Sequence, residues 1–247
     1  MNSSTMISSV KGRGIGHLRD AWAFVRHSAY QNFSGRSLLF IGLAIAVFLG
    51  VVVFSLMSRS AARGPEQVYN DLLVPAILLI FYPAAFAIQS DKDADMIETL
   101  FGIPDHRYKV WLIRLITLFV LVTGILVALV LFCRLGLTEF PVGKMVFELM
   151  FPILFLICLA FFLACLTRSG NSTAMILAVV LLAFWALAGT LKNSGWFLFH
   201  NPFSSVSQIQ ALAWKKITLS NRLYLSIGSI FFLMMGLLRL QDREKYI

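Results

Sequence analysis

The run SLLFIGLAIAVFLGVVVFSLM at Ser37–Met57 contains neither a charge nor a proline. About 20 such residues, rising 1.5 Å each as a helix, match the hydrocarbon thickness of a bilayer. Five further apolar runs follow, roughly Leu72–Ile88, Val110–Cys133, Met145–Leu166, Thr173–Leu191 and Leu223–Leu240. Continuous runs of this length exclude a transmembrane barrel, whose strands alternate and are half as long. Composition excludes an ordinary cytosolic enzyme: 59% of the residues are hydrophobic and 13% charged, against about 45–50% and about 25% in a soluble domain. The sequence therefore predicts an all-α polytopic membrane protein with six transmembrane helices in residues 37–247. The second span, with Pro75 and Pro83, is expected to kink, its freed carbonyls satisfied by neighbours.

Lys11, Arg13, Arg19, Arg26 and Arg36 precede the first span. Cationic flanks stay in the cytoplasm, so both termini are expected there. The formal charge of +9 then belongs to flanks facing anionic headgroups rather than to a nucleic-acid surface. The first run is too long for a signal-peptide core and follows a polar stretch, so it should insert and stay.

Three segments outside the spans carry pattern. Residues 1–14 read as flexible, and residues 15–36 as an interfacial helix. Ile15, Leu18, Trp22, Val25, Ala29 and Phe33 fall at helical three-and-four spacing, with Arg19 and Arg26 largely opposite. With Trp22 as an anchor, this helix should lie along the inner membrane surface. Around 91–102, Asp91, Asp95 and Glu98 crowd a helix start, where the macrodipole is positive. Leu100 and Phe101 extend a short apolar stripe, Pro104 stops it, and Arg107 leads back to the membrane. That exposed apolar edge suggests a docking element; a solvated charged loop is the alternative. The outer segment at about 192–222 is long and rich in aromatic residues. It suggests short re-entrant helices, one near 209–217, or else a plain aromatic belt.

Catalytic chemistry is not legible. There is no G-x-x-x-x-G-K-[ST] loop, no H-E-x-x-H and no G-x-S-x-G. No catalytic, cofactor-binding or metal-ligating residue is assigned. Cys133, Cys158 and Cys165 lie in or at the ends of spans as isolated small hydrophobes. Ionisable residues within spans are shallow: Arg114 should snorkel to the inner headgroups, Glu148 sits near an outer end, and Arg239 closes the last span. A proton-coupled carrier or intramembrane hydrolase would keep such groups deep.

The stretch D-M-I-E-T-L-F-G-I-P-D-H-R-Y-K-V at Asp95–Val110 resembles the cytosolic signature of type-2 ATP-binding cassette (ABC) exporter permeases. In that family an acid-rich stretch leads into G-T-L-E-x-L-L-x-x-P. Glu98, Leu100 and Pro104 match, whereas Asp95 and Met96 replace the usual Gly and Thr. The resemblance implies a permease subunit of the inner membrane that pairs with a second copy or a paralogue to form an export pathway. The 91–102 helix would be the coupling helix docking on a separate cytosolic ATPase, through Asp91, Asp95, Glu98, Leu100, Phe101, Pro104 and Arg107. ATP and Mg would be bound by that partner, and the 15–36 segment would be the elbow helix. Other classes stay open: a non-transporting membrane scaffold or assembly factor, and a membrane-embedded lipid enzyme, which would need clustered polar residues at one depth.

Overall fold

The computed structural model describes residues 36–57, 64–89, 107–136, 139–191, 194–204 and 210–240. Among them the chain is all-helical, with 88% helix and no strand. The helices are α1 (Arg36–Met57), α2 (Pro65–Ala85), α3 (Arg107–Gly136), α4 (Val142–Thr167), α5 (Gly170–Ala186), the single turn α6 (Ala188–Leu191) and α7 (Ala211–Arg239).

Among the described residues four helical stretches are long and apolar enough to cross a membrane: Pro65–Gln89, Trp111–Gly136, Val142–Thr167 and Ala211–Arg239. Two shorter apolar helices, Leu38–Phe54 and Gly170–Ala186, occupy the first and fifth of the expected runs. At 1.5 Å per residue α5 is about 26 Å long, slightly under a hydrocarbon core of about 30 Å.

Helix starts follow local chemistry. α2 begins seven residues before the apolar run, at Gly64-Pro65-Glu66. Gly64 is extended, proline at the first helical position loses no needed donor, and the acid faces the positive end of the helix. α2 runs through Pro75 and Pro83 as far as Ala85, bends at Phe86, and resumes over 87–89. α4 ends where Arg168 takes a left-handed conformation (φ 55°) and its N–H returns to Ala164 O at 2.9 Å. There Gly170 N donates to Gln89 Oε1 at 2.7 Å, so α5 starts against the end of α2. α1 starts at that same end, where Phe40 stacks on Tyr82.

α4 and α2 are the central helices, 67% and 61% buried along their most apolar windows, against 28% for α3 and α7. The core runs along α4 through Leu149, Ile153, Leu156, Ala160 and Ala164, and along α2 through Leu72, Ala76, Leu79 and Ile80. α3 contributes Leu118, Val122, Leu126 and Val130, a stripe of helical period. Gly228 and Gly236 let α7 pack closely on α4. A β-carbon there would stand 2.7 Å from the Phe155 ring and 2.8 Å from the Phe161 ring of α4. Gly42 and Gly124 have nothing within 4 Å.

Two sequence expectations change. A separate helix near 209–217 is replaced by the unbroken α7, because no proline or glycine interrupts the chain between Ala211 and Ile227. Arg114 does not reach outward: it is buried, with its guanidinium 5.5 Å from the Trp111 ring centroid.

Candidate functional site

α2, α4 and α7 all begin at one end of the bundle, and residues 194–204 fold over that end as a cap of successive turns. Asn201 anchors the cap to α2. Its Nδ2 donates to Glu66 O at 2.8 Å and to Asn70 Oδ1 at 3.0 Å, while its Oδ1 accepts from Phe203 N at 2.9 Å. Ser204 Oγ donates to Glu66 Oε1 at 3.1 Å. Asn221 anchors the other side to α7, donating from Nδ2 to the carbonyls of Gly195 (2.9 Å) and Phe197 (2.8 Å). His200 shares a 2.9 Å hydrogen bond with Thr218 Oγ1, and its ring lies 4.7 Å from that of Trp214. Irregular backbone at the edge of an apolar bundle needs such partners, and asparagine side chains supply them.

Beneath the cap is a largely buried ion pair. Arg222 donates from Nε to Glu148 Oε2 at 2.7 Å and from Nη1 to Asn221 Oδ1 at 3.1 Å. The guanidinium also lies 5.2 Å from the Phe151 ring centroid. Tyr69, fully buried on α2, lies within the field of both charges. Measured along the helices, Glu148 is about 29 Å from the end of α4 and Arg222 about 26 Å from the end of α7. The pair therefore sits near one face of an apolar layer, not at its middle.

Beside the cap, a cavity of about 680 Å³ opens between α2 and α5. Its walls are apolar, from Leu73, Ile77, Leu181, Trp185, Phe197 and Phe199. Polar groups gather at the cap: Glu66, Asn70, Asn201, Ser204 and the indole of Trp214. The Trp214 Nε1 is buried and has no hydrogen-bond partner among the described residues. The volume suits one drug-sized molecule with an apolar body and a polar head that accepts a hydrogen bond.

Among the described residues no group of three or more His, Cys, Asp or Glu side chains could hold a metal ion. Cys133, Cys158 and Cys165 are buried and form no disulfide among the described residues. Of the sequence-derived site residues, Arg19, Trp22, Arg26, Asp91, Asp95, Glu98, Leu100, Phe101 and Pro104 lie outside the described residues, and Arg107 is the first residue of α3. The polar layer under the cap was missed at the sequence level, where Glu148 was read only as a shallow charge near the outer end of its span. A carboxylate inside an apolar run demands a partner. Arg222, immediately ahead of the last apolar run, was the cation in place to supply it. No protein-family model matches the chain, and no curated protein or solved structure matches it either.

Proposed function

We propose that this chain is the transmembrane permease subunit of an ABC exporter of the inner membrane. In this reading α1 and α5 also cross the bilayer, giving six spans with both termini in the cytoplasm. The 15–36 segment is the elbow helix. A second copy or a paralogue completes the pathway, and a cytosolic ATPase carrying ATP and Mg docks on the 91–102 segment. The observation that carries this reading is the Asp95–Val110 sequence, set between two apolar helices of an all-helical bundle. The cavity beside the cap supports it, since apolar walls with polar groups at one end suit an amphipathic cargo.

The test is to tag the C-terminus, extract the full chain in mild detergent and identify stoichiometric partners by mass spectrometry. An ATPase with a G-x-x-x-x-G-K-[ST] loop is expected. Glu98→Lys and Leu100→Asp should each abolish its association. Association that survives both changes would overturn the docking assignment, and absence of any ATPase would favour a scaffold.

A further inference from the structure

A second recess, of about 450 Å³, lies between α4 and α7 at the cap end, on the opposite side of Trp214 from the larger cavity. Its two walls share one design. On α4, Lys144 is followed by Phe147, Glu148 and Phe151; on α7, Lys215 is followed by Leu219, Arg222 and Leu223. Spacings of three and four put each series on one helix face.

The charges do not balance. Among the described residues Glu148 is the one carboxylate lining the recess, and Arg222 holds it at 2.7 Å. Lys144 and Lys215 are both exposed, and the described residues leave no further anion in the recess to neutralise them. Lys144 rests 5.4 Å from the Phe203 ring centroid, which orients its ammonium at the rim. Below the rim, Phe147, Leu219 and Leu223 are more than half exposed, an apolar track without cover among the described residues.

Depth separates the two halves. Lys144 and Lys215 stand about 35 Å from the far ends of α4 and α7. A hydrocarbon core is about 30 Å thick, so the ammonium groups reach the level of phosphates while the track lies at the level of acyl chains. A free anion would satisfy the lysines but leave the track bare.

We infer that this recess binds an anionic phospholipid, its phosphodiester between Lys144 and Lys215 and an acyl chain along Phe147, Leu219 and Leu223. The inference needs only a bilayer around the bundle and is independent of the transport reading.

The experiment is native mass spectrometry of the delipidated full-length chain, titrated with dioleoyl phosphatidylglycerol or dioleoyl phosphatidylcholine. The two lipids share acyl chains and differ in headgroup charge. Phosphatidylglycerol should be retained at lower concentration. K144Q/K215Q should weaken it by about thirtyfold, the combined effect of two lysines beside an anionic headgroup. Lys216 is exposed but outside the recess, so K216Q should leave binding within about threefold of the parent, as expected for a more distant, screened charge. Equal retention of the two lipids would overturn the inference, as would a K216Q loss matching the double variant. Displacement by millimolar inorganic phosphate would assign the recess to a free anion instead.

Discussion

Arg222 and Glu148, 74 positions apart in sequence, form a 2.7 Å ion pair with side chains 8% and 12% exposed. They join α7 to α4 where both helices leave the apolar layer. Removing one partner of a buried pair leaves an uncompensated charge, which costs more than the pair contributes. Glu148→Ala and Arg222→Ala should each lower stability by about 3 kcal/mol, and the double variant should cost clearly less than their sum. Thermal melts of the detergent-solubilised variants provide the cycle; strict additivity would mean that the contact carries no energy.

Asn201 donates to α2 and accepts from its own turn. Asn201→Asp would set a carboxylate against Glu66 O and Asn70 Oδ1, two acceptors. It should therefore destabilise the cap more than Asn201→Ala, which forgoes bonds worth about 1 kcal/mol each. Hydrogen exchange over 194–204 reads this directly. Slower exchange in the Asp variant than in the Ala variant would contradict the donor assignment.

Gly236 and Gly124 make a matched contrast. At Gly236 a methyl group would meet the Phe161 ring at 2.8 Å and Phe162 Cα at 3.4 Å, whereas Gly124 faces open space. Gly236→Ala should cost about 1–3 kcal/mol through overpacking. Gly124→Ala should be neutral or gain up to about 1 kcal/mol from helix propensity. Equal melting temperatures for the two variants would show that α7 moves away from α4 without penalty.

The apolar part of this architecture was legible because hydropathy is additive along a helix: five of the six runs each correspond to one helix, and the fifth run to α5 with the single turn α6. The starts of α2 and α7 were not, since Glu66, Asn70 and Asp71 on one and Lys215, Lys216 and Arg222 on the other dilute any hydropathy window. The signs of an α2 start were present in Gly64, Pro65 and Glu66. The cap left no such trace. Asn201 lies 135 positions from Glu66 and Asn221 lies 24 from Phe197, and no spacing rule joins asparagines that meet only after the helices have packed.

The cavity between α2 and α5 should bind an apolar fluorophore such as N-phenyl-1-naphthylamine. Ile77→Trp projects bulk into it from a half-buried wall position and should weaken binding at least about tenfold, equivalent to about 1.4 kcal/mol. Leu131→Trp, on an exposed part of α3 outside the cavity, should not. Equal loss in both would place the dye on the general apolar surface.

Cys133, Cys158 and Cys165 are 2–4% exposed. Access governs thiol modification, so maleimide should leave all three unmodified in the folded protein and label all three after denaturation in SDS. A mass increment on the native protein would reveal an opening of the bundle around that helix.

The cap is fastened on two sides: to α2 through Asn201 and Ser204, and to α7 through Asn221 and Thr218. A buckle of this kind cannot stretch, because its tongue is a few turns of backbone held by bonds of 2.8–3.1 Å. Parting α2 from α7 at this end and keeping both sets of bonds are mutually exclusive. Whichever set is weaker would give way first, and that choice decides which helix carries the cap with it.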